Sequence, residues 1–351
     1  MNLDSPVGFS KIDKEGMLTY IDQLPEQLAE AWKLGRSLDL PKMEEIHNVV
    51  IAGMGSSAIG ADLLAAAFTD RCPVPIFVHR DYSLPAWAKG QCTLAVLVSH
   101  SGGTEETLSA FDRAVQCHCQ IVTITAGGKL LEEAQKMGLP AWKYSHIGPP
   151  NTAIGFSFGL LLALFTRLGL IPDQEEAVAA AVSSMQEQRK SIAADVPLAR
   201  NPAKRLAGQL VGRCPTFFGA GLLSPAARRW KCQINEVAKS LAAFETLPDC
   251  DHNTLAGLAF PENVLDKAFA FFLRSESDPP RTALRFDLTQ QIMLEEGINT
   301  DSYLAAGKTP LEQLWRAVQF GDCVSYYLAM ANEIDPAESP TIQEFQQSLP
   351  D

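Results

Sequence analysis

Short continuous apolar runs alternate with segments whose apolar residues recur every three or four positions, and through the first half of the chain this alternation predicts a parallel sheet with crossover helices. Strands are predicted over His47 to Ala52, Val74 to Val78, Leu94 to Val98 and Gln120 to Thr125. Helices are predicted over Ala58 to Phe68, Thr104 to Val115 and Leu130 to Lys136. The strand runs lack polar alternation, as expected of strands covered on both faces. A long apolar helix follows over Ala153 to Leu170, and Pro172-Asp173-Gln174-Glu175-Glu176 then breaks the pattern.

Beyond Pro202 the pattern restarts, with a strand at Thr216 to Phe218, the turn Gly219-Ala220-Gly221 and a helix from Pro225 to about Lys239. That layout repeats the order of Ile51-Ala52-Gly53-Met54-Gly55 and the helix after it. A strand at Ala268 to Leu273, a helix over Leu284 to Glu296 and a long helix over Leu311 to Ala331 complete the half. The fold class expected is α/β, with two doubly wound, mostly parallel sheets flanked by helices. The expected boundaries are a helical arm at 1–40, a first α/β domain at 41–174, a connecting helix at 175–195 and a second α/β domain at 196–351. Within the arm, Met17 to Leu34 has helical spacing.

Composition narrows the partners. The 351 residues are 46% hydrophobic, enough for two ordinary cores, and carry a formal net charge of -12. Nucleic acid and anionic membranes need clustered Lys and Arg, so neither is expected as the main partner. No N-terminal signal pattern is seen, and the most apolar stretch contains Ser157, Thr166 and Arg167, so a cytoplasmic protein is expected. The eight cysteines have no paired C-x-x-C spacing; no metal is expected, and most are read as buried small hydrophobes.

Val98-Ser99-His100-Ser101-Gly102-Gly103-Thr104-Glu105-Glu106-Thr107 crowds hydroxyls around a glycine turn between a strand and a helix. Helix-end N–H groups and the helix dipole suit an anion there, and hydroxyls add donors without charge. Ordinary N-capping, with Thr104 as the cap and acidic residues in the first turn, explains the same residues. A second loop, Gly53-Met54-Gly55-Ser56-Ser57-Ala58, matches the permissive dinucleotide fingerprint, with His79-Arg80-Asp81 where a ribose-binding group is sought. A nucleotide-cofactor oxidoreductase is therefore one alternative. The other reading takes both loops together: Ser57, Ser99, Ser101 and Thr104 converge on one phosphate, while Gly55 and Gly102 permit close backbone approach.

In these and three further motifs the chain resembles the sugar-isomerase (SIS) domain proteins, and among them the bifunctional phosphoglucose/phosphomannose isomerases. The further motifs are Ala153-Ile154-Gly155-Phe156-Ser157-Phe158-Gly159, Arg229-Trp230-Lys231-Cys232-Gln233-Ile234-Asn235-Glu236 and Asp251-His252-Asn253. The resemblance spans nearly the whole chain. It implies two SIS domains, a homodimer with shared active sites, no cofactor, and interconversion of glucose 6-phosphate or mannose 6-phosphate with fructose 6-phosphate. By position it implies that Ser57, Ser99, Ser101 and Thr104 bind phosphate, that Glu236 is the base, and that His252 of the partner subunit opens the ring. A carboxylate suits transfer of one proton between C2 and C1 through a cis-enediol, and an imidazole suits exchange of the ring-oxygen proton.

The chain also departs from that family's pattern. Asn151 stands where the family has an arginine, Gln346 where it has a lysine, Ser56 where it has glycine, His100 where it has an aromatic residue and Gly103 where it has asparagine. Losing a cation aimed at a developing oxyanion costs on the order of 10²–10³ in rate. His100, Arg228 and Arg229 are the candidates to replace it, and His100 is expected to add titratable positive charge beside the phosphate. Three outcomes follow: a working isomerase, an enzyme for another sugar phosphate, or a protein that binds a phosphosugar without turning it over.

Overall fold

The computed structural model describes residues 3–337 and 339–349. In chain order, α1 (Pro6–Phe9), α2 (Met17–Asp22) and α3 (Leu24–Ser37) precede β1 (Asn48–Ala52), α4 (Gly55–Ala67), β2 (Ile76–His79) and β3 (Thr93–Ser99). Then come α5 (Glu105–Gln116), β4 (Gln120–Thr125), α6 (Gly128–Lys136), β5 (Ala141–Lys143), α7 (Ile154–Arg167), α8 (Glu175–Ile192) and α9 (Pro202–Leu210). The remainder is β6 (Cys214–Ala220), α10 (Ser224–Glu236), β7 (Ala243–Leu247), α11 (Glu262–Leu265), β8 (Ala268–Ser275), α12 (Pro280–Glu295), β9 (Asn299–Ala305), α13 (Pro310–Ala331) and α14 (Pro340–Ser348).

The chain forms two compact units. One comprises Gln23–Gln186 with Ala306–Trp315, and the other Met1–Asp22, Glu187–Ala305 and Arg316–Asp351. Each holds one parallel sheet, ordered β2-β1-β3-β4-β5 in the first unit and β7-β6-β8-β9 in the second. The second order is the first one repeated without its last strand. In both, the chain reverses direction across the sheet at the first strand, and open α/β sheets bind ligands at the carboxyl ends of strands beside such a reversal.

In the first unit β3 is buried at every residue, which explains its unbroken apolar run. One face packs Val50, Ala95 and Leu97 against Ala110, Phe111 and Ala114 of α5. On the other, α7 is buried from Ile154 through Phe165, so its all-round apolar character belongs to a core helix. Among the described residues no helix is long and apolar enough to cross a membrane. Gln27 of α3 fastens the start of α7: its amide donates to the Thr152 carbonyl at 2.9 Å and its carbonyl accepts from the Gly155 N–H at 2.8 Å.

In the second unit Trp230 of α10 is the central core residue. Its ring lies 5.3 Å from Phe217 and 5.2 Å from Phe271, and its indole N–H donates to the Ala317 carbonyl at 2.9 Å. The arm is not one helix, since α2 and α3 are separate. The cysteine expectation also needs correction. Only Cys250 and Cys323 are buried, and Cys92 is exposed.

Candidate active site

The first unit brings the two glycine loops together. Ala52 at the end of β1 pairs with Leu97 of β3, so both loops leave adjacent strands at the carboxyl edge. Gly53 lies so close to β3 that a Cβ there would stand 2.7 Å from the Val98 carbonyl oxygen. Gly55 opens α4 at φ +50°, Ser56 is half-buried and Ser57 is buried. No side chain caps α4.

In the second loop the Ser99 hydroxyl is 2.9 Å from that of Thr104 and accepts the Gly102 N–H at 3.1 Å. Ser101 lies 3.5 Å from Thr104, and its hydroxyl accepts the Gly103 N–H at 3.2 Å. Gly102 adopts φ +67°, and a Cβ there would fall 1.8 Å from the Gly127 carbonyl oxygen, so no other residue fits without moving the neighbouring loop. Thr104 occupies the N-cap position of α5 but makes no capping bond. Its hydroxyl faces Ser99 and Ser101 instead, and the first-turn N–H groups of α5 keep no side-chain acceptor. That arrangement favours the anion over the plain N-cap.

His100, between those serines, is half-buried, with Nδ1 3.1 Å from the Tyr144 hydroxyl and its ring 5.7 Å from that of His146. Tyr144 stacks on Phe156 at 4.9 Å, and Nε2 of His146 is 2.7 Å from the Thr152 hydroxyl. Burial lowers the pKa of His100. Burial thus works against the expected positive charge, because it favours the neutral imidazole. Asn151, in the turn Pro150–Thr152, is buried, and its carbonyl lies 3.5 Å from the Ser56 hydroxyl. Tyr144 and His146 were not singled out from the sequence. Their two-residue spacing after a strand places them on one face, but β5 has only three residues and gave no strand signal.

The polar groups that a dinucleotide would need are engaged locally. Arg80 pairs with Asp62, and the Asp81 carboxylate accepts the Tyr82 N–H at 2.7 Å.

In the second unit Glu236 is the last residue of α10 and half-buried, and its carboxylate takes no ion pair among the described residues. Burial raises its pKa, against the opposing pull of Arg229, Lys231 and Lys239. The Lys239 ammonium donates instead to the Glu236 backbone carbonyl. Arg229 is buried and forms a two-pronged pair with Asp322, Nε to Oδ1 at 2.9 Å and Nη2 to Oδ2 at 2.6 Å. Arg228 lies over the Phe244 ring at 4.9 Å. His252 is exposed in the turn Asp249–His252, beside Asp251, whose carboxylate accepts from Arg285 at 2.6 Å and from Thr289 at 2.8 Å. Gln346 is exposed on α14.

Connectivity separates Glu236 from His252 within one protomer. The helix α10 leaves the carboxyl end of β6 and returns toward the amino end of β7, whereas His252 follows the carboxyl end of β7. Five residues of strand, roughly 16 Å, lie between those two edges. Among the described residues no group of three His, Cys, Asp or Glu side chains is arranged to hold a metal ion.

Residues 199–349 match the family model described as the bacterial phospho-glucose isomerase C-terminal SIS domain. A bifunctional phosphoglucose/phosphomannose isomerase of Caldicellulosiruptor bescii is 37% identical over 324 residues, covering 91% of this chain and 95% of the relative. One of Aquifex aeolicus is 30% identical over 303 residues, covering 86% and 90%. Among solved structures, a glucose-6-phosphate isomerase like protein from Thermus thermophilus superposes with a TM-score of 0.64 at 20% identity, over 97% of this chain and 98% of that one. The last likeness concerns the fold alone.

Proposed function

The chain belongs to the bifunctional phosphoglucose/phosphomannose isomerase family, and from that premise we propose that it interconverts glucose 6-phosphate and mannose 6-phosphate with fructose 6-phosphate. The observation that carries the substrate class is the hydroxyl cluster of Ser99, Ser101 and Thr104 before an uncapped helix, next to a second uncapped helix opened by Gly55-Ser56-Ser57. Uncharged donors at two helix ends hold a phosphate dianion by directed hydrogen bonds and the helix dipoles. In this reading Ser57, Ser99, Ser101 and Thr104 grip the phosphate, with Gly55, Ser56, Gly102 and Asn151 shaping the cradle.

Glu236 is the base. Burial raises its pKa above the ordinary carboxylate value, which strengthens it as a proton acceptor. It removes the C2 proton of the open-chain aldose and returns it to C1, and the O2 hydroxyl proton moves to O1, so the enediol collapses to the ketose with no atom gained or lost. The buried Arg229–Asp322 pair fixes the helix that carries Glu236. His252 opens the ring and comes from a second subunit, which the separation of the two residues along β7 supports. The working form is then a cytoplasmic homodimer, and no metal or organic cofactor takes part.

Purified protein incubated with glucose 6-phosphate, and separately with mannose 6-phosphate, is expected to yield fructose 6-phosphate in both cases. Glu236→Gln is expected to lose that activity while still being stabilised against heat by 5-phosphoarabinonate. Absence of product from both aldoses with wild-type protein overturns the reading.

A further inference from the structure

We propose that the cavity walled by α8, α9, β9 and α13 in the second unit is a further anion site, one that takes a small phosphomonoester away from Glu236 and His252. Its volume of about 260 Å³ equals that of about nine waters in the liquid, the bulk of a small phosphorylated polyol rather than of a nucleotide. In the sheet order β7-β6-β8-β9 its strand wall, β9, is the edge farthest from β7. Three strand spacings, roughly 14 Å, therefore lie between the cavity's strand and the one that Glu236 precedes and His252 follows.

The floor of the cavity is apolar and preformed. Ile192, Leu206, Phe271 and Phe320 are buried there, and the Tyr303 ring stacks on Phe320 at 4.5 Å. Gln188 of α8 ties the walls together: its amide donates to the Arg316 carbonyl at 2.9 Å and to the Gln319 side-chain oxygen at 3.0 Å, and its own carbonyl accepts the Tyr303 hydroxyl at 2.7 Å. One buried amide so engaged fixes the spacing of α8, β9 and α13, which keeps the space from collapsing.

The charge around that floor is basic. Arg205 of α9 is exposed and takes no ion pair among the described residues. Arg316 of α13 lies beside Tyr303, whose phenol is pushed up to about 12 by burial against the pull of that guanidinium. Among the lining residues the one carboxylate is Asp301, and it accepts the N–H of its neighbour Ser302 at 2.7 Å. Two guanidinium groups sharing one space repel each other until an anion joins them. As planar forks on different helices they can serve separate oxygens of one phosphate, whereas a carboxylate is filled by a single fork. At the rim, Ser191 and Gln209 add uncharged hydrogen-bonding groups for the body of the ligand.

The experiment is calorimetric titration with glycerol 3-phosphate at about pH 8, where a phosphomonoester is a dianion. The full chain carries Ser101→Ala and Thr104→Ala, which remove hydroxyls of the other phosphate cradle and leave this cavity untouched. One equivalent per chain is expected to bind with millimolar or tighter affinity, weakening as salt is added. Arg205→Gln in that background should weaken binding about tenfold or more, as expected for loss of a charge-assisted bond. Ser191→Trp, which keeps both arginines and fills the cavity from its exposed rim, should abolish it. Succinate, of equal charge but planar at both ends, should bind several-fold more weakly. No binding up to about 10 mM, binding unchanged by either Arg205→Gln or Ser191→Trp, or a preference for succinate would overturn the inference. The isomerase reading stands or falls separately, on product formation by the wild-type protein.

Discussion

At Glu236, burial and three neighbouring cations pull the carboxyl group in opposite directions, and burial prevails. A carboxylate whose pKa is raised by folding costs stability in its ionised form, and that cost is present above the unfolded value and relieved as pH falls through the folded one. Two results follow. The acid limb of kcat/KM should lie above the ordinary carboxylate value of 4.5, measurable as a pH–rate profile. Glu236→Gln should melt at the same temperature as wild type or higher, an activity–stability exchange visible by calorimetry. At Gly102 both φ and the contact with Gly127 exclude a side chain, so Gly102→Ala should lower stability by about 1–3 kcal/mol and raise KM tenfold or more. Serine and threonine hydroxyls at glycine turns carry their chemistry in their order along the chain, which is why this loop was legible. Tyr144 and His146 pack around His100, and no spacing rule in the sequence ties them to it.

Among the strands, the central ones are legible because they are buried on both faces, and of the edge strands only β2 has an apolar run, Val74 to Val78, that shows in the sequence. β1, β3 and β4 show continuous apolar runs because helices cover both sides, whereas β7 and β9 are edge strands whose residues Glu245, Thr246, Asp301 and Ser302 meet solvent or polar groups and carry no such signal. The helix α4 begins three residues before the predicted Ala58, since glycine and serine in its first turn are weak helix formers and carry no helical signal. The anchoring of α7 was invisible for a different reason: Gln27 lies 125 residues before Thr152, and only the tertiary fold brings them together. Gln27→Ala strands a buried carbonyl and a buried N–H, so it should cost roughly 2–4 kcal/mol, read from denaturant melts. The loss should be accompanied by a raised KM, because Thr152 and Asn151 lead into the cradle through Ser56.

For the whole molecule, two copies of one sheet topology have diverged in chemistry. The first carries the hydroxyl cluster of Ser99, Ser101 and Thr104 at its carboxyl edge, the cradle of the proposed reading; the second carries a carboxylate on the returning helix and a histidine past the opposite edge. In the proposed reading Glu236 and His252, on opposite edges of β7, meet only across two subunits, and this can be tested by complementation. Glu236→Gln and His252→Asn proteins, each inactive alone, should recover about a quarter of wild-type activity when unfolded and refolded together in equal amounts, since half the dimers are mixed and each mixed dimer has one intact site. Use of both residues from the same protomer predicts no recovery. The most direct test of the central claim, that Glu236 shuttles the proton of a bound hexose 6-phosphate, is proton exchange followed by NMR with fructose 6-phosphate in deuterated water. Wild-type protein should place deuterium at C1 of fructose 6-phosphate and C2 of the aldose products, while Glu236→Gln, still binding the phosphate, should do so at least about 10²-fold more slowly. Exchange by Glu236→Gln at the wild-type rate would contradict the account.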